Sequence, residues 1–197
     1  MHSLIESLKA RITNLELATD GAHAIKPVIY PPASEILVNH SEKLLGFALP
    51  PLLRQILMEV GNGGFGPEYG LLGLAGGATD DTGRNMIDLY RLFLEPHPDD
   101  LAFQWPVKLV PICHLGCAMY ACVDCSIISG PILWWEPNPR EKNDPIDVFF
   151  IPVAESLEDW FWMWLRNEDW MTPAYERSAL KQWLDDWHST HDLSTNS

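Results

Sequence analysis

Four cysteines in the middle of the chain are the side chains most able to do chemistry in this sequence. They form two pairs, Cys113 with Cys117 and Cys122 with Cys125, and four thiolates are a ligand set that binds zinc. However, the second pair lies in a strand-like run, in which an odd spacing points the two side chains to opposite faces. We therefore expect packing residues that bind no metal. The alternative that stays open is a metal- or thiol-dependent protein that uses the 113–125 cluster.

Other reactive combinations give no better indication of catalysis. His114 follows Cys113 directly, but neighbours on a strand point apart and no third group is placed to orient them. The run 61–67 (GNGGFGP) follows a predicted helix and lacks the Lys-Ser or Lys-Thr of a phosphate-binding loop, so it indicates a glycine-dependent turn. The acidic pairs at 80–81 and 99–100 lack the alternating spacing of a calcium loop. We predict no catalytic residue, no metal, no cofactor and no enzymatic activity.

Tryptophan is unusually frequent, with nine residues in the chain. Most should be buried, because large aromatic side chains dominate the burial of apolar area. Trp134 and Trp135 are adjacent on a predicted strand, so we expect one of them to face away from the main core. An exposed tryptophan among carboxylates is typical of a protein-binding surface. Cover by a C-terminal helix is the alternative.

The charge balance limits the classes of partner. The 197 residues include 27 acidic and 13 basic ones, which gives a net charge of −14 with a hydrophobic fraction of 47%. A protein this acidic repels nucleic acid phosphates and anionic membranes. It has no apolar run long enough to span a bilayer and no signal-peptide pattern, so we expect a cytoplasmic protein. A basic protein is the partner that this charge favours.

The periodicity of apolar residues predicts helices at both ends and a β-rich middle. Ser3 and Glu6 fit a capping box, Ser34 fits a helix cap, and Asp81 or Thr82 could begin a helix that ends near 94. Short connections between the strands favour antiparallel hairpins, and hence the α+β class. The predicted helices are 3–15, 34–45, 50–60, 81–94, 156–165 and one from 172; the predicted strands are 69–74, 107–112, 118–125, 131–135 and 148–152.

Several motifs in this order resemble those of the SUKH superfamily. They are LGFALPPLLR at 45–54, GNGGFGP at 61–67, GLLGL at 70–74, PICHLGC at 111–117 and CVDC at 122–125. This superfamily includes the fungal Smi/Knr cell-wall regulators and many bacterial immunity proteins. The motif positions are Gly46, Leu49, Pro50, Gly61, Asn62, Gly63, Gly64, Phe65, Gly66, Pro67 and Gly116.

The resemblance implies a non-enzymatic α+β domain with an antiparallel sheet flanked by helices. It covers about residues 33–165, so we divide the chain into an N-terminal helix and connector (1–32), this domain, and a C-terminal helical extension (166–197). The implied function is that of an immunity protein that binds and neutralises a polymorphic toxin of the nuclease or deaminase type. A regulatory or scaffold protein of the Smi/Knr type, without a toxin partner, is the alternative.

We expect the partner to be a basic toxin domain, and the protein itself to be a monomer or weak dimer that binds neither nucleic acid nor membrane. Acidic loops next to the glycine-rich run are the predicted contact surface, because opposite charge speeds association. The candidate partner-binding residues are Glu68, Tyr69, Asp80, Asp81, Asp124, Trp134 and Trp135.

Overall fold

The computed structural model describes residues 3–14, 18–19 and 28–191, except for the side chains of residues 187, 188, 190 and 191. Helices at both ends of this part of the chain enclose a β-rich middle. The elements are α1 (Leu4–Ile12), α2 (Glu35–Leu45), α3 (Pro51–Glu59), α4 (Met86–Phe93), β1 (Leu109–Gly116), β2 (Met119–Asp124), β3 (Ile132–Trp135), β4 (Phe150–Ala154), α5 (Leu157–Leu165), α6 (Met171–Glu176) and α7 (Ala179–His191).

The four strands form one antiparallel sheet in the order β1-β2-β3-β4, which confirms the predicted α+β class. Strand β1 is longer than predicted. The sequence predicts that residues 114–116 lie between two strands. In the structure they belong to β1, because His114 pairs with Tyr120 and Gly116 pairs with Met119. The connection between β1 and β2 is therefore only Cys117 and Ala118, both with positive φ. The two turn residues are exposed, whereas β1 is buried as far as Gly116.

Predicted helix ends are confirmed where a capping side chain is present. The capping box of Ser3 and Glu6 begins α1, and the Ser34 side chain accepts a hydrogen bond from the Leu37 amide at the start of α2. Gly46 ends α2 with a φ of 81°, a left-handed conformation that suits glycine. Proline at the first position begins α3, where no amide donor is needed.

Three predicted elements are corrected by the structure. The fourth helix begins at Met86 with Asn85 as its cap, because the preceding acidic loop forms its own hydrogen-bonded turn. The stretch 69–74 is a loop, buried except for Tyr69, with a single bridge from Leu71 to Cys113, and is not a strand of the sheet. The last helix is divided in two at residues 177–178.

Both members of the adjacent tryptophan pair, Trp134 and Trp135, are buried. Trp134 is 7% exposed and Trp135 is 3% exposed, so neither is an exposed binding residue, and the alternative, cover by the C-terminal extension, is what the structure shows for Trp134. Trp134 contacts Trp170 just before α6, with ring centroids 6.5 Å apart. On the other face, Trp135 contacts Trp105 at 5.4 Å and Phe150 at 4.7 Å. Both faces of this strand are therefore covered by aromatic side chains.

One hydrophobic core joins the sheet with helices from both ends of the described chain. Helix α4 packs on β1, helices α5 and α6 pack on β4, and α1 packs on α5. Within the described ranges, no helix has the length and hydropathy that crossing a bilayer would require.

Candidate functional site: a cleft beside the glycine-rich loop

The glycine-rich loop makes close backbone contacts that only glycine allows. Gly63 and Gly64 both have positive φ, at 86° and 88°. The Gly64 amide donates to the Leu71 carbonyl at 2.8 Å. A Cβ atom at Gly64 would overlap the carbonyl oxygen of Val28. The loop therefore lies directly against the chain segment that precedes α2.

Asn62 connects this loop to the next one. Its side-chain oxygen accepts a hydrogen bond from the Leu74 amide at 2.8 Å, and its carbonyl accepts one from the Ala78 amide at 3.0 Å. The residue is buried, and a Cβ at Gly73 or Gly77 would overlap its atoms. Because a buried amide needs its partners, this arrangement fixes the relative position of the two loops.

A cleft of about 390 Å³ lies beside these loops. Three separate parts of the chain line it: the N-terminal stretch, the two glycine-containing loops, and the end of β1 with its turn. The residues that line it include Thr19, Val28, Tyr30, Tyr69, Asp81 and His114.

Three aromatic rings lie in a row at one side of the cleft, each tilted by 37–38° to the next. The ring centroids of Tyr69 and His114 are 5.1 Å apart, and those of His114 and Tyr120 are 5.3 Å apart. His114 and Tyr120 are buried, whereas Tyr69 is 44% exposed. The outer ring of the row is thus presented to solvent by two rings that the core holds in place.

Asp80 has a structural role. Its Oδ1 accepts hydrogen bonds from the amides of Thr82 and Arg84, and its Oδ2 accepts one from the Tyr120 hydroxyl at 3.0 Å. Burial alone would raise the pKa of this carboxyl, but the hydrogen bonds outweigh burial and lower it. Burial and the Asp80 carboxylate together raise the pKa of Tyr120. Asp80 is therefore a buried anion that holds the acidic loop against β2.

Asp81 is the exposed member of the acidic pair. Its side chain is 73% exposed, and its Oδ1 lies 3.9 Å from Nε2 of His114. The carboxylate is therefore available to solvent at the cleft. Two adjacent aspartates have opposite environments, one inside the loop and one at the surface.

The other predicted contact residues lie elsewhere. Glu68 lines a second depression, also of about 390 Å³, with Trp170 and the acids Glu168 and Asp169. Asp124 ends β2, where its Oδ1 accepts from the amide and hydroxyl of Ser126. Of the predicted partner-binding residues, the structure thus places only Tyr69, Asp80 and Asp81 together in one cleft.

Sequence reasoning missed several residues of the cleft. The sequence indicates His114 only as a neighbour of a possible cysteine nucleophile. Its position between two tyrosines depends on the pairing of β1 with β2. Thr19, Val28 and Tyr30 lie in a connector that gave no periodic signal. Only the tertiary contact with the glycine loop reveals these three as lining residues.

The four cysteines differ in their exposure to solvent. Cys113 and Cys122 are buried, Cys125 is half-buried and Cys117 is exposed. Burial raises the pKa of the Cys122 thiol, and it raises that of Cys125 to about 12. Among the residues that the structure describes, no group of three or more His, Cys, Asp or Glu side chains is arranged to hold a metal ion.

The family model described as the SMI1 / KNR4 family (SUKH-1) matches residues 32–162. No curated protein matches the chain. The matched region begins before α2 and ends within α5, so it includes Tyr69, Asp81 and His114. The cleft residues Thr19 and Val28 lie outside it, as do α1, α6 and α7.

Proposed function

Because this chain belongs to the SMI1/KNR4 (SUKH-1) family, we propose that it is a non-enzymatic immunity-type protein that neutralises a basic toxin by direct binding. The observation that carries the proposal is the net charge of −14. Toxins that act on nucleic acids bind phosphate through basic surfaces, which an acidic protein complements. Within this family, such a charge favours a partner of opposite sign.

The cleft and its surroundings are the proposed contact surface. Asp81 offers an exposed carboxylate and Tyr69 an exposed aromatic ring next to it. Aromatic side chains with partial exposure are enriched among residues that contribute most to binding. Glu68 adds a further carboxylate in the adjoining stretch of chain. Asp80 contributes charge from inside the loop, although its carboxylate oxygens are already hydrogen-bonded.

The test is to look for a toxin gene beside this one and to co-express the toxin domain that it encodes with this protein. We expect growth to be restored and the purified proteins to form a complex. The dissociation constant should rise by about tenfold between roughly 50 mM and 300 mM NaCl, because salt screens the attraction between opposite charges. Absence of a neighbouring toxin gene, or of growth rescue, would contradict the immunity role.

A pair of matched double variants tests the contact surface. Glu68→Gln with Asp81→Asn should slow association with the toxin domain by about three- to tenfold, because Asp81 lies at the cleft and Glu68, in the second depression, directly precedes the cleft residue Tyr69 in the chain. Glu95→Gln with Asp99→Asn changes the net charge equally at exposed residues that do not line the cleft. Equal slowing by both double variants would show that overall charge, and not this surface, sets the rate.

A regulatory or scaffold role of the Smi/Knr type is the second candidate, and the description of the matching family favours it. It would be distinguished by a stable complex with a host protein and by no effect on the growth of cells that express a toxin.

A further inference from the structure

We propose that the cleft is a pocket for one arginine side chain of the basic partner, with the guanidinium against Tyr69 and paired with Asp81. This inference rests on the proposed function, in that it assumes a basic protein partner. It goes further by naming the chemical group that the cleft recognises.

The aromatic side of the cleft suits a planar cation. A guanidinium can lie flat on an aromatic face while it donates two parallel hydrogen bonds to a carboxylate. An ammonium group lacks this planar pair of donors. The Tyr69 ring is held in place by its contact with His114 and by the close approach of Gly116, where a Cβ would lie 3.2 Å from the tyrosine ring. A ring fixed before binding loses little conformational entropy when the partner binds.

The charges at the cleft favour a cation. Asp81 is exposed at the cleft, and Asp80 lies directly behind it as a second carboxylate. No lysine or arginine lines the cleft in the described part of the chain. A positive side chain would therefore meet Asp81 and Asp80 in the cleft, and it would share Asp81 with the His114 imidazole, whose Nε2 lies 3.9 Å from Oδ1 of Asp81.

The size of the cleft suits a side chain. Sites for small ligands range from about 300 to 1,000 Å³, so a cleft of about 390 Å³ is near the lower end. A single long side chain from a partner, inserted from solvent, is compatible with this volume. A folded element such as a helix is not.

Residues outside the family match shape the pocket. The Tyr30 amide donates to the Gly63 carbonyl at 3.2 Å, and the Tyr30 carbonyl accepts from the Asn62 amide at 3.1 Å. These bonds hold the N-terminal stretch, including Val28, against the cleft. The pocket of this chain is therefore completed by residues that precede the matched region, which makes them determinants of partner specificity.

A titration of the full chain with N-acetylarginine amide at low salt tests the proposal. The neutral isostere N-acetylcitrulline amide is the matched control probe. In ¹H–¹⁵N spectra, we expect the arginine compound to shift the amides of Tyr69, Asp81 and Gly116, and citrulline to leave them unchanged. Asp81→Asn should weaken binding by about tenfold, because a charge-assisted hydrogen bond is lost. Asp99→Asn should leave the affinity unchanged.

Equal shifts with both compounds, shifts confined to another surface, or equal loss in both variants would overturn the proposal. Tyr69→Leu with the same titration separates stacking from charge, and binding that is unaffected by it would contradict the stacking geometry. These readouts are independent of the toxin. Binding of arginine in the cleft without neutralisation of a toxin would overturn the proposed function alone.

Cys117 provides a second readout with the toxin domain itself. It is the exposed thiol of the four and lines the cleft, whereas the others are buried or half-buried. Complex formation should largely abolish its reaction with a thiol reagent. Unchanged labelling in a complex that restores growth would overturn the cleft as the docking pocket and leave the proposed function intact.

Discussion

At the residue scale, the adjacent acids Asp80 and Asp81 show how environment determines role. Both are aspartates in the same loop, yet one accepts hydrogen bonds from two amides and a tyrosine while the other faces solvent. A single sequence position separates the carboxylate that stabilises the cleft from the one that is available to a partner. Substitutions here must therefore be interpreted separately.

We predict that Asp80→Asn lowers the free energy of unfolding by about 1–3 kcal/mol. Both carboxylate oxygens of Asp80 accept hydrogen bonds, whereas the side-chain amide of asparagine has only one acceptor oxygen. The lowered pKa of Asp80 means that its contribution is present above the unfolded-state pKa of about 3.9 and is lost as the pH falls through the lower folded-state pKa. Urea denaturation should show a difference between wild type and variant that is full at neutral pH and shrinks below about pH 4. Asp81→Asn is the control and should change stability little; a matching loss in both would contradict this division of roles.

At the element scale, the sequence predicts those features that depend on local signals. Capping serines, a glycine stop and proline at a first turn located α1, α2 and α3 closely. The strands were located because turn residues separate apolar runs. In contrast, the burial of Trp134 depends on Trp170, which lies far along the chain, and the packing of the acidic loop depends on the bond from Tyr120 in β2 to Asp80. Such contacts between distant segments leave no local pattern in the sequence.

Only some residues of the cleft can be predicted from the sequence, because the others reach the cleft through contacts between distant segments. Tyr69, Asp80 and Asp81 flank glycine-rich turns, and loops of this kind carry binding residues more often than the elements that they connect. The row of rings around His114 requires the register of β1 against β2. The lining by Val28 requires the contact between the N-terminal stretch and Gly64.

We predict that Gly64→Ala is much more destabilising than Gly76→Ala. Both glycines have positive φ, but a Cβ at Gly76 meets nothing within 4 Å, whereas one at Gly64 overlaps the Val28 carbonyl. Gly76→Ala should lower the free energy of unfolding by about 1 kcal/mol from backbone conformation alone. Gly64→Ala should lower it by at least about 3 kcal/mol or displace the N-terminal stretch. Thermal denaturation would measure both effects. Equal effects would show that the close approach of Gly64 to the Val28 carbonyl does not contribute to the destabilisation.

At the scale of the whole molecule, segments beyond the family match are part of the same core. The guanidinium of Arg11 in α1 lies 4.2 Å from the ring centroid of Trp164 in α5, and it donates to the Leu165 carbonyl. At the other end, Trp183 of α7 contacts Phe149 next to β4. The described helices at both ends therefore cover aromatic side chains of the central domain: α1 covers Trp164 near the end of α5, and α7 covers Phe149 within the matched region.

This leads to a prediction about Trp170, which lies after the matched region and precedes α6. Its ring lies 6.0 Å from that of Trp160 and 6.5 Å from that of Trp134, and it is buried. Trp170→Ala should lower the free energy of unfolding by about 3–5 kcal/mol, because it removes a large side chain from a packed cluster. Urea denaturation followed by far-UV circular dichroism measures this without depending on tryptophan fluorescence.

The matched control is Trp162→Ala in α5. Trp162 is only half-buried, and its indole N–H donates to Glu158 at the surface, so its loss should cost less than about 2 kcal/mol. A Trp170→Ala effect as small as that of Trp162→Ala would mean that α6 and α7 are attached loosely. The larger effect would show that the chain unfolds as one unit, in which the C-terminal helices stabilise the domain that carries the cleft.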